Sequence, residues 1–147
     1  MNSSTGSGST IAYLKGSGDE DYANVLVAGR SNVTRVVVMK IVERCGLRSI
    51  SATPETAIYA LRDRIPHAVI LDGGISNHDC DRLIEDINAL CDRKGSPTPP
   101  VILLSNRTGT RETLDLSVLV EAVVPKPITP ETLQPVVERL AARYRAN

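Results

Sequence analysis

Ala68-Val69-Ile70-Leu71-Asp72 decides the reading of this chain: an unbroken apolar run that stops at an acid. A run without polar alternation marks a strand buried on both faces, as in a parallel sheet covered by helices. The same pattern recurs on either side. Val25-Leu26-Val27-Ala28 stops at Gly29, Val101-Ile102-Leu103-Leu104 at Ser105, and Glu121-Ala122-Val123-Val124 at Pro125-Lys126-Pro127. Arg48-Ser49-Ile50-Ser51 is a weaker strand of the same set.

Helical spacing fills the intervals. Asn32 is placed to cap a helix with apolar positions Val33, Val36, Val37, Ile41 and Cys45, and Gly46 follows its end. Thr53-Pro54-Glu55 opens a second helix whose stripe is Ala57, Ile58, Leu61 and Ile65. Leu83, Ile84, Ile87, Leu90 and Cys91 mark a third, and 110–119 is read as a fourth. Thr129-Pro130-Glu131 starts a fifth with Leu133, Val136, Val137, Leu140 and Tyr144 on one face; Pro135 inside it is expected to kink it or delay its start. Five strands alternating with five helices predict an α/β protein, a flavodoxin-like doubly wound five-stranded parallel sheet of order 2-1-3-4-5. Ligands of such folds sit at the carboxyl ends of the strands, which points to Gly29-Arg30, Asp72, Ser105 and Lys126.

Composition bounds the function. The 147 residues carry 17 Lys+Arg against 17 Asp+Glu, so no global field attracts nucleic acid or anionic lipid. No apolar run approaches the roughly 20 residues needed to span a bilayer. Neither DNA nor membrane is therefore expected as a partner. The three cysteines, Cys45, Cys80 and Cys91, form no CxxC and read as reduced thiols of a cytoplasmic protein. The two histidines, His67 and His78, are too scattered for a zinc site. Four Tyr stand beside no Phe and no Trp, so the core must be aliphatic. Residues 1–22, rich in Ser, Gly and Thr, are expected to form a flexible polar tail before a domain spanning 23–147.

Over roughly 24–141 the chain resembles the CheY-like receiver domains of bacterial two-component response regulators. Ser51 to Ala57 and Pro66 to Asp72 read like that family's second helix and third strand. The resemblance implies that Asp72 is the phospho-acceptor, that Ser105 is the switch hydroxyl, and that Lys126 contacts phosphate before a Lys-Pro bond that is typically cis. In the family the aspartate attacks a phosphohistidine to give an acyl phosphate, so the protein's work is positioning and charge neutralisation. Magnesium is held there by the phospho-acceptor, a backbone carbonyl two residues later (Gly74 here), and an acidic pair after the first strand.

That acidic pair is replaced by Gly29 and Arg30. One carboxylate against an arginine and a lysine leaves the pocket at an expected +1 instead of the family's −2. No magnesium or other cofactor is therefore expected, unless the first strand is registered differently. Arg30 either replaces the metal by pairing with Asp72, or with a phosphate on it, or turns to solvent. A double substitution, Gly29→Asp with Arg30→Asp, is expected to restore the metal site.

Val123 stands where the family has its aromatic switch, and Asp79, in the loop after Asp72, reads as a helix N-cap. Gly73-Gly74 gives that loop extra freedom. The chain is thus expected to be an atypical pseudo-receiver, not an enzyme, acting by protein–protein interaction in two-component phosphorelay signalling. Its expected partners are a histidine kinase, a partner receiver or an effector. The fourth helix, fifth strand and fifth helix offer a face for a homodimer, with Val118, Leu119, Val120 and Tyr144 on it. Two alternatives stand beside this reading: a receiver that accepts phosphate on Asp72 without the usual metal, and a small-molecule or anion-binding domain using Ala28 to Asn32 at a helix N-terminus.

Overall fold

A computed structural model describes residues 24–62 and 64–146, so the expected tail at 1–22 lies outside the described residues. The elements in chain order are β1 (Asn24–Ala28), α1 (Asn32–Arg44), β2 (Arg48–Ala52), α2 (Ala57–Leu61), β3 (Ala68–Asp72), α3 (Asp81–Lys94), β4 (Val101–Ser105), β5 (Val120–Pro125) and α4 (Pro130–Ala146). All strand pairings are parallel, and the order is β2-β1-β3-β4-β5.

The apolar runs bury both faces by simple alternation. Val25, Val27, Ile70, Ile102 and Leu104 pack beneath α1 and α4. Their neighbours Leu26, Ala28, Leu71 and Leu103 pack on the other side against α2 and α3. Each fully buried Leu or Ile contributes about 1.5–3 kcal/mol, so the two layers hold the central strands from both faces.

Three expectations need correction. Among the described residues there are four helices instead of five, because 110–119 does not become a helix. One turn forms there, with Leu114 N–H donating to Thr110 O at 3.0 Å, and Asp115 then enters the left-handed region at φ 56 and ends it. The surface named for a homodimer accordingly has the non-helical segment 110–119 where a helix was expected.

In α1 the cap is Ser31 rather than Asn32; its hydroxyl accepts from Thr34 N–H at 3.1 Å. The buried stripe is Val38, Ile41 and Val42, while Val33 is 73% exposed. The stripe through Val33, Val36 and Val37 runs on to Lys40 and Arg44, charges that keep it outward.

Pro135 neither delays α4 nor ends it; the helix begins at Pro130 and carries Pro135 on its exposed side.

Candidate functional site

The register of the sheet builds the site. Ala28 pairs with Leu71, so Gly29 falls beside Asp72; Ser105 pairs with Pro125, so Lys126 follows directly. Lys126 N–H donates to Ser105 O at 2.8 Å, and the Lys126–Pro127 bond is cis, as the resemblance implied. Asp72 is 4% exposed. Its Oδ1 accepts from Lys126 Nζ at 2.6 Å and from Gly74 N–H at 3.0 Å. A buried carboxylate is tolerated only with such partners.

Gly29 lies so close to Asp72 that a Cβ placed on it would be 2.6 Å from Asp72 Cβ. The loop after β3 is equally tight. A Cβ on Gly73 would meet Asn77 Cα at 2.8 Å, and one on Gly74, whose φ is +71, would meet Asp79 Oδ2 at 2.0 Å. The paired glycines therefore provide close packing, not the extra freedom expected of them.

Arg30 does not pair with Asp72. Its guanidinium meets Glu55 at 2.7 Å and Asp79 at 3.5 Å while remaining 57% exposed. The hydrogen bond to Arg30 holds the Glu55 carboxyl below the usual carboxylate range. Asp79 is thus a partner of Arg30 and a wall for Gly74; the N-cap of α3 is Cys80.

The count of +1 over Asp72, Arg30 and Lys126 becomes a local net of −1 once Glu55 and Asp79, the acids that Arg30 meets, are included. The donors do not converge, however. Among the described residues no three His, Cys, Asp or Glu side chains are grouped to hold a metal ion. The Gly74 carbonyl, the expected backbone ligand, accepts from Asn106 Nδ2 at 2.7 Å. The donor set the family uses for magnesium is not assembled by these residues.

Ser105 is fully buried and turned into a network that the sequence reading missed. Its Oγ donates to Arg107 O at 2.6 Å and accepts from Asn77 Nδ2 at 2.8 Å and from Arg107 N–H at 2.9 Å. Asn77 Oδ1 in turn accepts from Asn106 N–H at 3.2 Å. Asn77 is 1% exposed and sits at φ 67, a conformation Asn tolerates better than other side chains. An Asn in the turn after a buried-strand acid was the available signal.

Val123 is half-buried against the α2–α3 layer and carries no aromatic ring to rotate. The Ala28–Asn32 loop closes on its own contacts: Ser31 caps α1, and Arg35 donates to Gly29 O, to Ser51 Oγ at 2.9 Å and to Asn32 Oδ1 at 3.3 Å.

Beneath Asp72, Cys80 Sγ contacts the Asp72 carbonyl at 3.4 Å. Burial, then the carboxylates of Asp72 and Asp79, push this thiol up to about 12, so it stays protonated and inert.

No family model matches the chain, and no curated protein matches it in sequence. Solved structures do. A Vibrio cholerae chemotaxis protein, CheY4, is similar at TM-score 0.65 and 19% identity, covering 81% of this chain and 98% of its own. The receiver domain of a Pseudomonas aeruginosa sensor histidine kinase, solved with a magnesium ion in its active-site cleft, is similar at TM-score 0.63 and 18% identity, covering 82% and 98%. A Saccharomyces cerevisiae co-crystal structure, of a histidine phosphotransfer signaling protein and the receiver domain of its downstream response regulator, is similar at TM-score 0.70 and 11% identity, covering 84% and 91%. The likeness is one of fold: the described residues have the fold of CheY-like receiver domains.

Proposed function

We propose that the chain is a receiver-type module of two-component signalling that works through protein–protein contacts, without metal-dependent phosphoryl transfer at Asp72. The observation that carries this reading is the end of β1. Gly29 supplies no side-chain donor and has no room for one against Asp72, while Arg30 is committed to Glu55 and Asp79. Lys126 supplies the positive charge that a buried Asp72 needs, so the pocket is closed on itself without a cation from solution. Modules of this fold signal by docking, and the partners proposed are a histidine kinase, a phosphotransfer protein, another receiver or an effector; no catalytic turnover is assigned to the chain.

A second reading has its own support. Lys126 Nζ and the Gly74 N–H both point at Asp72 Oδ1, a partial cradle of donors for a phosphoryl group. In that case the Asp72 carboxylate attacks phosphorus, the bond to the nitrogen of a phosphohistidine whose ring is protonated on its other nitrogen breaks, and neutral imidazole leaves with that proton.

Amide spectra recorded with magnesium alone, and then with magnesium and beryllofluoride, separate the two. The first reading expects no shifts around Asp72, Ser105 and Lys126; shifts that need magnesium would refute it. Acetyl phosphate should leave the intact mass unchanged, whereas one added phosphoryl group, abolished by Asp72→Asn, establishes the second.

A further inference from the structure

We propose that Asn77 is a positioning residue that interlocks the loop after β3 with the segment 106–119, using the Ser105 hydroxyl as the shared pin. The inference goes beyond the proposed function: it concerns what holds 106–119 against the loop after β3, whichever partner the module meets.

The chain of contacts is continuous. Asn77 Nδ2 donates to Ser105 Oγ, and Asn77 Oδ1 accepts from Asn106 N–H. Asn106 Nδ2 returns to Gly74 O, closing a ring between the two loops. The single proton of Ser105 Oγ is spent on Arg107 O, and its oxygen also receives Arg107 N–H. The hydroxyl therefore organises the first residues of 106–119 and offers no donor toward Asp72.

Farther along, Arg111 anchors the same segment by donating to Val118 O at 2.9 Å and Val120 O at 3.0 Å, at the head of β5. Val118, whose carbonyl is held by Arg111, leaves its side chain 81% exposed. With no helix over 106–119, hydrogen bonds from Asn77 and Ser105 hold the start of this segment, while Arg111 and the buried Leu114 hold its remainder. Burial of Asn77 and Ser105 keeps water from replacing either partner, so losing one leaves the other unsatisfied.

Asn77→Gly tests this without backbone strain, because glycine accepts φ 67 freely. In amide hydrogen exchange the variant, which loses the bonds of Asn77 to Ser105 Oγ and to Asn106 N–H, should lose at least roughly five- to tenfold protection at Asn106, Arg107 and the following turn. Protection in β1 and β3 should be unchanged. A role confined to general stability would lower protection in all strands alike, and that result, or unchanged protection at 106–107, overturns the interlock.

Ser105→Ala should produce the reciprocal loss at Gly74 to His78, as linkage demands. The two substitutions together should cost less than the sum of the singles; additive losses overturn the shared pin. These readouts need no phosphoryl group. Beryllofluoride binding at Asp72 would refute metal-independent docking while leaving the exchange result to decide the interlock separately.

Discussion

Gly29 is the residue on which the character of the site turns. Its missing side chain lets the end of β1 sit against Asp72, so Gly29→Ala must push two strand ends apart. We expect a loss of about 1–3 kcal/mol, seen as a lower urea midpoint at unchanged slope. The same crowding changes what Gly29→Asp with Arg30→Asp should do: the added Cβ meets Asp72 before its carboxylate reaches any ion, so the strand ends must first shift to make a metal site. That Asp72, Ser105 and Lys126 lie at strand ends was legible because Asp72 and Ser105 close buried apolar runs and Lys126 follows the short run of β5; their chemical roles are a separate matter. The partner of Arg30 was not legible. Glu55 reaches it through the lead-in to α2, across the edge of the sheet, a tertiary contact that local spacing does not encode.

Elements were legible where burial and periodicity agreed. The fully buried strands β1, β3 and β4 follow from their runs alone. In α1 two apolar stripes compete, and the charges at Lys40 and Arg44, not the count of valines, select the outward one. The segment 110–119 has helix-like spacing but no helical ladder, since Thr110 and Thr113 exchange side-chain hydrogen bonds and Asp115 reverses the chain. Helix α4 carries the opposite conflict, a proline inside a helix kept by the burial of Leu133, Val137 and Leu140. Pro135 has no N–H for the carbonyl four residues before it and is exposed, so nothing in its packing depends on the ring. Pro135→Ala should raise stability by about 1–3 kcal/mol, measured by urea unfolding.

At the scale of the whole molecule, the half-buried His67 and the buried Cys80 each tie stability to pH, from opposite sides. His67 Nδ1 accepts from Asn24 N–H at 3.0 Å at the head of β1, and burial first, then Arg64, lowers its pKa below 6.5. A lowered folded value means stability that is present above 6.5 and lost as pH falls through the folded value. Cys80 is shifted the other way, from 9.0 to about 12, so its contribution is complete below 9.0 and lost as pH rises toward 12. Urea midpoints should therefore form a plateau between these limits, and Cys80→Ala should flatten the alkaline side. A fall inside the plateau would contradict both assignments.

Both layers of the core are built from aliphatic side chains with a few sulfur-bearing ones, Cys80 and Cys91 among them. Among the described core side chains no aromatic ring is present to spread the methyl resonances of the buried Val, Leu and Ile, and with no Trp in the sequence no indole reports on folding by its emission. Tyr59, on the exposed face of α2, is the aromatic ring among the described side chains, stacked under Arg62 at 4.7 Å. A tryptophan introduced at Val123, half-buried beside the α2–α3 layer, would thus be the sole indole in the protein, a fluorophore whose emission, excited to the red of the four tyrosines, reads that layer alone.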